Sequence, residues 1–156
     1  MGEIMAYNVN RNSLENQWMP FTDNRGFKAN PRLISQASGV YMDNHMGSKV
    51  IDGSSGLFCC PAGHCHPKII EAVHEQMKIN TYTSPFGTSH EESFKLADRV
   101  SELTPEGLNH VFFVNSGSEA VDTALKITMA YHSAIGQNRH RFVSRERAYH
   151  GVNMGG

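Results

Sequence analysis

An apolar run that passes through a small polar turn into a helix most constrains what this chain can fold into. The run VFFV (residues 111–114) is apolar without alternation, which is typical of a strand buried on both faces. The turn Ser116-Gly117-Ser118 follows it, and residues 118–135 favour a helix. A helix that begins at such a turn presents free backbone N–H groups and the positive end of its dipole. Both favour a phosphate or a carboxylate at this place.

A second short apolar segment, RFVS (residues 141–144), follows the helix and predicts a second strand. A strand, a helix and a strand joined in this way form a βαβ unit, so we expect an α/β fold with a parallel sheet. Ligands bind at the carboxyl ends of such strands. The turn at Gly117 and the loop that carries Tyr149, His150 and Gly151 both follow strand ends. The sequence therefore predicts that they form one site.

The common nucleotide-binding loops do not occur in this sequence. No two glycines are spaced G-x-G, and the pattern G-x-x-x-x-G-K-[ST] is absent. An anion at the turn would therefore be the monophosphate of another cofactor or of a substrate. Two plainer interpretations stay open at this point: the turn can be a simple helix cap, and Tyr149 can be a surface residue that covers apolar side chains. If a cofactor phosphate binds here, Tyr149 or His150 can instead stack on its ring.

A cluster of cysteines and histidines, CCPAGHCHP (residues 59–67), suggests a metal site at first sight. Closed zinc sites usually combine a C-x-x-C pair with a second, distant pair, and no second pair occurs here. The two histidines of the cluster flank the start of a predicted helix, which carries Pro67 at its first position. We therefore expect no metal and interpret the cysteines as ordinary buried residues.

The composition is that of a globular protein without affinity for nucleic acid or membranes. The 156 residues carry a net charge of −1, so no basic surface is predicted. The three cysteines are odd in number and clustered, which argues against a secreted disulfide framework. No apolar run approaches the roughly 20 residues of a membrane span, and the first residues lack the features of a signal peptide. We therefore expect a cytoplasmic protein.

The pattern along the chain changes twice. Residues 1–16 are polar and aperiodic, and they predict a flexible N-terminal arm. Residues 17–60 contain two short alternating runs, which predict a β-hairpin. Residues 61–156 carry helical patterns before and after the VFFV run. At the start of one of these helices, Thr88 and Glu91 predict a capping box.

Five stretches of the sequence together resemble a known family: WMPFT, VIDGSSGLFCCPAGHCHPKIIEAV, YTSPFGTSHEESFKLADRV, VFFVNSGSEAVDTALKIT and AYHSAIGQNRHRFVSRERAYHGVNMGG. In their order and spacing they resemble a class III pyridoxal-phosphate-dependent aminotransferase, and within that family the β-alanine (ω-amino acid):pyruvate branch. The resemblance implies the N-terminal part of a fold-type I α/β transferase. It also implies that residues 17–60 belong to a small domain and residues 61–156 to an incomplete cofactor-binding large domain.

The resemblance implies pyridoxal 5'-phosphate as the cofactor. The residues that it implies as cofactor-binding are Ser116, Gly117, Ser118, Tyr149, His150 and Gly151. Among these, the turn would hold the phosphate and Tyr149 would stack on the pyridine ring. The implied substrate pocket contains Phe21, Phe58 and Phe86, of which Phe86 would reach the site of a partner subunit. Phe58 stands where this branch usually carries tryptophan.

No catalytic residue is expected within the chain itself. Members of the family are roughly three times longer, and their cofactor-binding lysine, ring-nitrogen carboxylate and substrate arginine come later in sequence. We therefore expect an N-terminal piece of a homodimeric or larger enzyme that transfers an amino group from an ω-amino acid or amine to pyruvate. Alone it would be inactive. The alternatives are a non-catalytic truncated fragment and another class III activity such as that of an aminomutase.

Overall fold

The computed structural model describes residues 14–156, and the chain divides into two compact units. The first unit extends to Tyr82, and the second extends from Thr83 to Gly156. The sequence pattern changes after residue 60, where the alternating runs give way to helical periodicity, and a domain boundary at that point stays a prediction. Residues 1–13 of the predicted arm lie outside the described residues.

The first unit contains a three-stranded antiparallel sheet. The unit begins with the helix α1 (Asn24–Ala29). The three strands of the sheet are β1 (Ile34–Ser38), β2 (Tyr41–Asn44) and β3 (Lys49–Ile51). Strand β2 lies between the other two, and in its pairing with β3 Asp43 lies opposite Lys49. The side-chain oxygen of Asn44 accepts hydrogen bonds from the N–H groups of Met46 and Ser48, which closes the turn between β2 and β3. The predicted hairpin is therefore present.

The hairpin leads into the short turn α2 (Ser55–Phe58) and the helix α3 (Pro67–Ile79). Helix α3 begins with proline, as predicted, because the first N–H of a helix has no intrahelical partner to lose. The four residues of α2 all have positive φ, between 51° and 67°. This element is therefore a left-handed turn and not a right-handed helix.

The second unit contains the helices α4 (Glu91–Ser101) and α5 (Gly117–Ala134). The predicted capping box at the start of α4 is wrong. His90 is the N-cap residue, and the hydroxyl of Thr88 donates a hydrogen bond back to the carbonyl oxygen of Ser84. The hydroxyl of Thr88 is engaged in this local bond, so it does not cap the first turn of α4. Helix α5 begins one residue before the predicted start.

The two segments predicted as parallel strands, residues 111–114 and 141–144, carry no strand structure. A strand exists only where a neighbour exchanges ladder hydrogen bonds with it, and neither segment has such a neighbour among the described residues. Their side chains remain largely accessible, with Phe112 and Val143 exposed. The apolar pattern was identified correctly, but within the described residues no sheet forms on it.

No residue within the described range 14–156 is fully buried. The sheet of the first unit has no helix packed on it within that unit, and α4 and α5 do not pack on each other. Apolar faces that would form a core in a complete domain are therefore accessible to solvent. None of the helices within residues 14–156 combines the length and the apolar character that a bilayer span requires.

Candidate functional site

The first turn of α5 is closed by two side chains. Ser116 is the N-cap residue, and its hydroxyl oxygen accepts a hydrogen bond from the N–H of Glu119 at 3.2 Å. The carboxylate of Glu119 in turn accepts a hydrogen bond from the N–H of Asn115 at 2.9 Å. The two bonds hold the loop before the helix against its first turn. Glu119 was not predicted as a site residue, although a serine followed three residues later by a glutamate is the pattern of a capping box.

Two backbone N–H groups of this turn have no acceptor among the described residues. They belong to Gly117 and Ser118, the first two residues of α5, for which no earlier helical carbonyl is in reach. The space beside Gly117 is open, because a Cβ built on it would meet no atom within 4 Å. Two free donors, an open approach and the positive end of an 18-residue helix fit an anion such as a phosphate.

The loop after residue 144 reaches the same turn. The hydroxyl oxygen of Ser118 accepts a hydrogen bond from the N–H of Val152 at 3.0 Å, so its own proton remains available to another acceptor. Gly151 has a φ of 121°, and a Cβ built on it would lie 2.8 Å from Cα of Ser118. Only glycine permits so close an approach. The structure thus brings the turn and the loop together, and the assignment of a ligand to them stays a prediction.

Tyr149 and His150 lie on this loop in different surroundings. The Nε2 atom of His150 lies 3.2 Å from the hydroxyl oxygen of Ser144. Tyr149 is 74% exposed, and its ring contacts no other ring among the described residues. It therefore covers little apolar surface, which weakens the plainer interpretation of this residue. An exposed aromatic ring beside an anion site is available to stack on a flat ligand.

A cleft of about 350 Å³ opens beside the first turns of α5. Its lining residues are Phe112, Phe113, Val114, Asn115, Glu119, Asp122, Thr123, Lys126 and Asn153. No sequence motif indicates Asp122, an acidic residue that lines this cleft. Its carboxylate accepts a hydrogen bond from the N–H of Gly155 at 3.0 Å and so ties the end of the loop to α5. Lys126 is exposed.

The three phenylalanines assigned to a substrate pocket are all exposed. The exposed fractions are 89% for Phe21, 86% for Phe58 and 90% for Phe86. Phe21 lines a surface cleft of about 390 Å³ together with residues of α1. Phe21 and Phe58 belong to the first unit and Phe86 to the second. Within each unit no closed pocket surrounds these rings, and their assignment stays a prediction.

A polar cluster that no sequence motif indicates lies in the first unit. The side chain of Asp52 is only 5% exposed, and its carboxylate lies 2.8 Å from Nε2 of His64. It also accepts hydrogen bonds from the N–H and hydroxyl of Ser54, both at 3.1 Å, and from the N–H of Gly56 at 2.7 Å. The bond from His64 is the largest cause that holds the pKa of Asp52 below its ordinary value of 3.8, and burial opposes it.

The carboxylate of Asp52 stabilises the left-handed turn α2. Three of its four residues are not glycine, namely Ser55, Leu57 and Phe58, and each costs about 1–2 kcal/mol in a left-handed conformation. Such a conformation persists only where the surrounding structure holds it. The hydrogen bonds from Ser54 and Gly56 to Asp52 supply that restraint.

One group of described residues has the spacing of a metal site. Each of its three members has a possible ligand atom, and these atoms lie within 4.8 Å of one another; the residues are Glu71, His74 and Glu75. All three are exposed on α3, and Glu75 is ion-paired with Lys78 at 2.7 Å. Exposed acidic groups on one helix face are common without a metal. The cysteine–histidine cluster of residues 59–67 forms no such group within the described part of the chain.

Comparison with known proteins gives consistent matches. The family described as aminotransferase class-III matches residues 23–156. The omega-aminotransferase of Caulobacter vibrioides is 49% identical over 146 residues, which are 93% of this chain and 33% of the relative. The omega-amino acid–pyruvate aminotransferase of Pseudomonas putida is 45% identical over 144 residues, which are 92% of this chain and 32% of that one.

A solved structure also matches this chain. The crystal structure of a thermostable (S)-enantioselective omega-transaminase from Thermomicrobium roseum superposes with a TM-score of 0.87 at 31% identity. The superposition covers 92% of this chain and 33% of the solved chain. The chain therefore spans about a third of the length of the relatives that it matches.

Proposed function

The chain belongs to the class III aminotransferase family, and from this membership we propose that it forms part of an enzyme that transfers an amino group from an ω-amino acid or amine to pyruvate. Its fold is accordingly the N-terminal part of a fold-type I α/β transferase, as the sequence predicted. The name of the Pseudomonas putida relative specifies an omega-amino acid and pyruvate, and this supports the choice of substrates.

We propose pyridoxal 5'-phosphate as the cofactor and the start of α5 as the place that holds its phosphate. The free N–H groups of Gly117 and Ser118 would donate to phosphate oxygens, and the hydroxyl of Ser118 has a proton to add. Ser116 acts indirectly, because its side chain is engaged as the helix cap. The observation that carries the proposal is this pair of free donors beside the open space at Gly117.

The loop at residues 149–151 would bind the ring of the cofactor. Tyr149 is exposed and free to stack, and His150 stands next to it with Nε2 at the hydroxyl of Ser144. Gly151 brings this loop against Ser118, so that the ring-binding and phosphate-binding residues are held at a fixed separation. The role of these residues is binding and orientation.

The bound cofactor would supply an electron sink for removing the amino group from one substrate and delivering it to another. The chain itself supplies no group that we assign to proton transfer. Lys126 lies on α5 about 12 Å from the free N–H groups, at a rise of about 1.5 Å per residue, and is exposed. We therefore expect the catalytic lysine in a part of the enzyme outside residues 1–156, where the family carries it.

The remaining sequence predictions concern substrate and assembly. Phe21 and Phe58 would line the pocket of the amino donor, and Phe86 would reach the site of a partner subunit in a homodimer or larger homo-oligomer. These three residues are 86–90% exposed, which leaves them free to contact another subunit or a substrate.

A fused enzyme tests the proposal. It would consist of residues 1–156 of this chain followed by the remaining two thirds of the Caulobacter vibrioides omega-aminotransferase. We expect the fused enzyme to bind pyridoxal phosphate, seen by its visible absorbance, and to form alanine from pyruvate and β-alanine. The complete Caulobacter relative is the positive control. A fused enzyme that folds but binds no pyridoxal phosphate would overturn the proposal.

A further inference from the structure

We propose that Asp52 and His64 form a positioning pair that holds the turn α2 and, through it, sets how Phe58 meets the amino donor. The inference rests on the proposed function, because it takes Phe58 as part of the substrate pocket. Neither Asp52 nor His64 is placed against the substrate. Both would act through the backbone of residues 54–58.

Both members of the pair are anchored to the same stretch of chain before β2. The backbone of His64 exchanges two hydrogen bonds with Gly39, at 2.8 and 2.9 Å. The N–H of Asp52 donates to the carbonyl oxygen of Val40 at 2.9 Å. The 2.8 Å bond between their side chains therefore joins two positions that the backbone already fixes. Such a bond costs little conformational entropy, because neither backbone has to be ordered for it.

The pair is continuous with the left-handed turn. One carboxylate oxygen of Asp52 bonds both His64 and the N–H of Gly56, and the other bonds Ser54. The carbonyl oxygen of Ser54 then accepts a hydrogen bond from the N–H of Phe58 at 3.0 Å. The turn also lies directly against the imidazole, since a Cβ built on Gly56 would be 3.9 Å from Cε1 of His64. An unbroken series of hydrogen bonds thus runs from His64 to Phe58.

The direction of the Phe58 side chain depends on this turn. Its ring is 86% exposed, so packing within the unit restrains it little. Its φ of 67° is a conformation that a bulky residue adopts only when it is held there. If the carboxylate is lost, the turn can relax toward negative φ and the ring changes direction. The expected consequence is altered discrimination between large and small amino donors.

The experiment uses the fused enzyme and compares the variants Asp52→Asn, His64→Ala and His64→Gln. An asparagine must place its NH₂ group where one carboxylate oxygen stood, and each of these oxygens accepts a backbone N–H of the turn, from Ser54 or from Gly56, so one of these two bonds is lost. The side-chain NH₂ group of a glutamine can still donate to Asp52, so His64→Gln should preserve the hydrogen bond to the carboxylate that His64→Ala removes. Asp43→Asn is the matched control, because Asp43 pairs with Lys49 and Gln36 on the hairpin and has no bond to α2.

The measured quantity is the ratio of kcat/KM for 1-phenylethylamine to kcat/KM for β-alanine, in the presence and absence of Phe58→Ala. We expect Asp52→Asn and His64→Ala to change the ratio about threefold or more when Phe58 is present, and to leave it unchanged in the Phe58→Ala background. His64→Gln and the Asp43 control should retain the original ratio. Equal losses for both donors, or the same change in both backgrounds, would overturn the inference.

Amide hydrogen exchange separates this inference from the proposed function. Exchange at residues 54–58 should be faster in Asp52→Asn than in the unsubstituted fused enzyme, with the amides of α3 as the internal reference. Unchanged exchange overturns the positioning pair whatever the activity. If the unsubstituted fused enzyme has no transaminase activity, the proposed function fails, and faster exchange would still support the pair itself. If Asp52→Asn does not fold, both the kcat/KM ratio and the amide exchange are measured on His64→Ala instead.

Discussion

Gly117 and Gly151 lie at the same turn but differ in their tolerance to a side chain. A Cβ on Gly117 would meet nothing within 4 Å, and its φ is not in the left-handed region. A Cβ on Gly151 would lie 2.8 Å from both Cα and Oγ of Ser118 at a φ of 121°. The backbone conformation at Gly117 therefore does not require glycine. We propose that glycine is needed here because it leaves open the space in front of two free N–H groups.

The first prediction is that Gly117→Val lowers the affinity of the fused enzyme for pyridoxal phosphate by about 10–100-fold. Hydrogen bonds to a charged group contribute about 1.5–3 kcal/mol, and the branched side chain would fill the space in front of the two donors. Titration of the visible absorbance measures the affinity. Gly117→Ala is the milder control, and Gly151→Ala should instead lower the melting temperature even without cofactor. Unchanged affinity in Gly117→Val would show that the phosphate binds elsewhere.

The second prediction concerns Tyr149, whose ring is exposed in this structure. Tyr149→Leu should weaken cofactor binding by about 0.5–1.5 kcal/mol, since it removes an aromatic stacking partner while it keeps an apolar side chain. Tyr149→Phe retains the ring and serves as the matched control. The same titration measures both variants. If Tyr149→Leu and the unsubstituted enzyme bind pyridoxal phosphate with equal affinity, Tyr149 is a surface residue that does not stack on the cofactor.

At the scale of the elements, the sequence predicted the helices α3 and α5 and the hairpin of β2 and β3 but not the state of two apolar segments, because a helix or a hairpin pairs its backbone locally and a lone strand does not. Helix α5 (Gly117–Ala134) was expected from about residue 118, and helix α3 was expected to begin at Pro67. The segments 111–114 and 141–144 have the composition of buried strands, but no neighbour among the described residues pairs with them. Their apolar pattern indicates a preference that only a partner strand can realise.

The turn α2 could not be predicted from its sequence. Three of its residues are L-amino acids that disfavour positive φ, and only Gly56 is neutral to it. The conformation depends on Asp52, which precedes the turn, and on His64, which follows it. Single-residue preferences do not report such a tertiary restraint. The candidate site differs in this respect, because Ser116, Gly117 and Ser118 are contiguous and their helix-capping geometry is local.

The third prediction is that α2 loses its restraint in acid. The pKa of Asp52 is lowered from 3.8 in the folded state, so its stabilising effect is fully present above the unfolded value. It is lost as the pH falls through the lower, folded pKa. We therefore expect protection of the N–H groups of Gly56 and Phe58 to hold from pH 7 to about 5 and to fall below about pH 3.8. Hydrogen exchange corrected for intrinsic rates measures it in the fused enzyme.

The control for this prediction is Asp52→Asn, which removes the titrating carboxylate. In this variant the amides of α2 should exchange faster at neutral pH, and the acid transition should be absent from them. The amides of α3 report any general acid unfolding. A transition of equal size in both proteins would assign it to another group.

At the scale of the whole molecule, residues 14–156 bury too little surface to be stable by themselves. No residue in the described range is fully buried, and most large apolar side chains on α3 and α4, such as Ile70 and Phe94, are exposed. Hydrophobic burial contributes about 25 cal/mol per Å² and is the main term that offsets conformational entropy. We infer that the exposed apolar faces pack against the remainder of the enzyme, which the matched relatives carry in the other two thirds of their length.

The last prediction is that the 156-residue chain alone neither unfolds cooperatively nor catalyses transamination. A two-state domain of this length would absorb on the order of 100 kcal/mol at its midpoint, and we expect no such calorimetric peak because residues 14–156 contain no buried core to melt. The accessible apolar faces should bind the dye ANS strongly, and the fused enzyme should bind much less of it. Alanine should not form from pyruvate and β-alanine, since the nearest lysine on α5, Lys126, is about 12 Å from the phosphate donors and too far away to share a site with them. A cooperative melt of the monomeric chain would contradict the folding half of this prediction, and pyridoxal-phosphate-dependent turnover would contradict the chemical half.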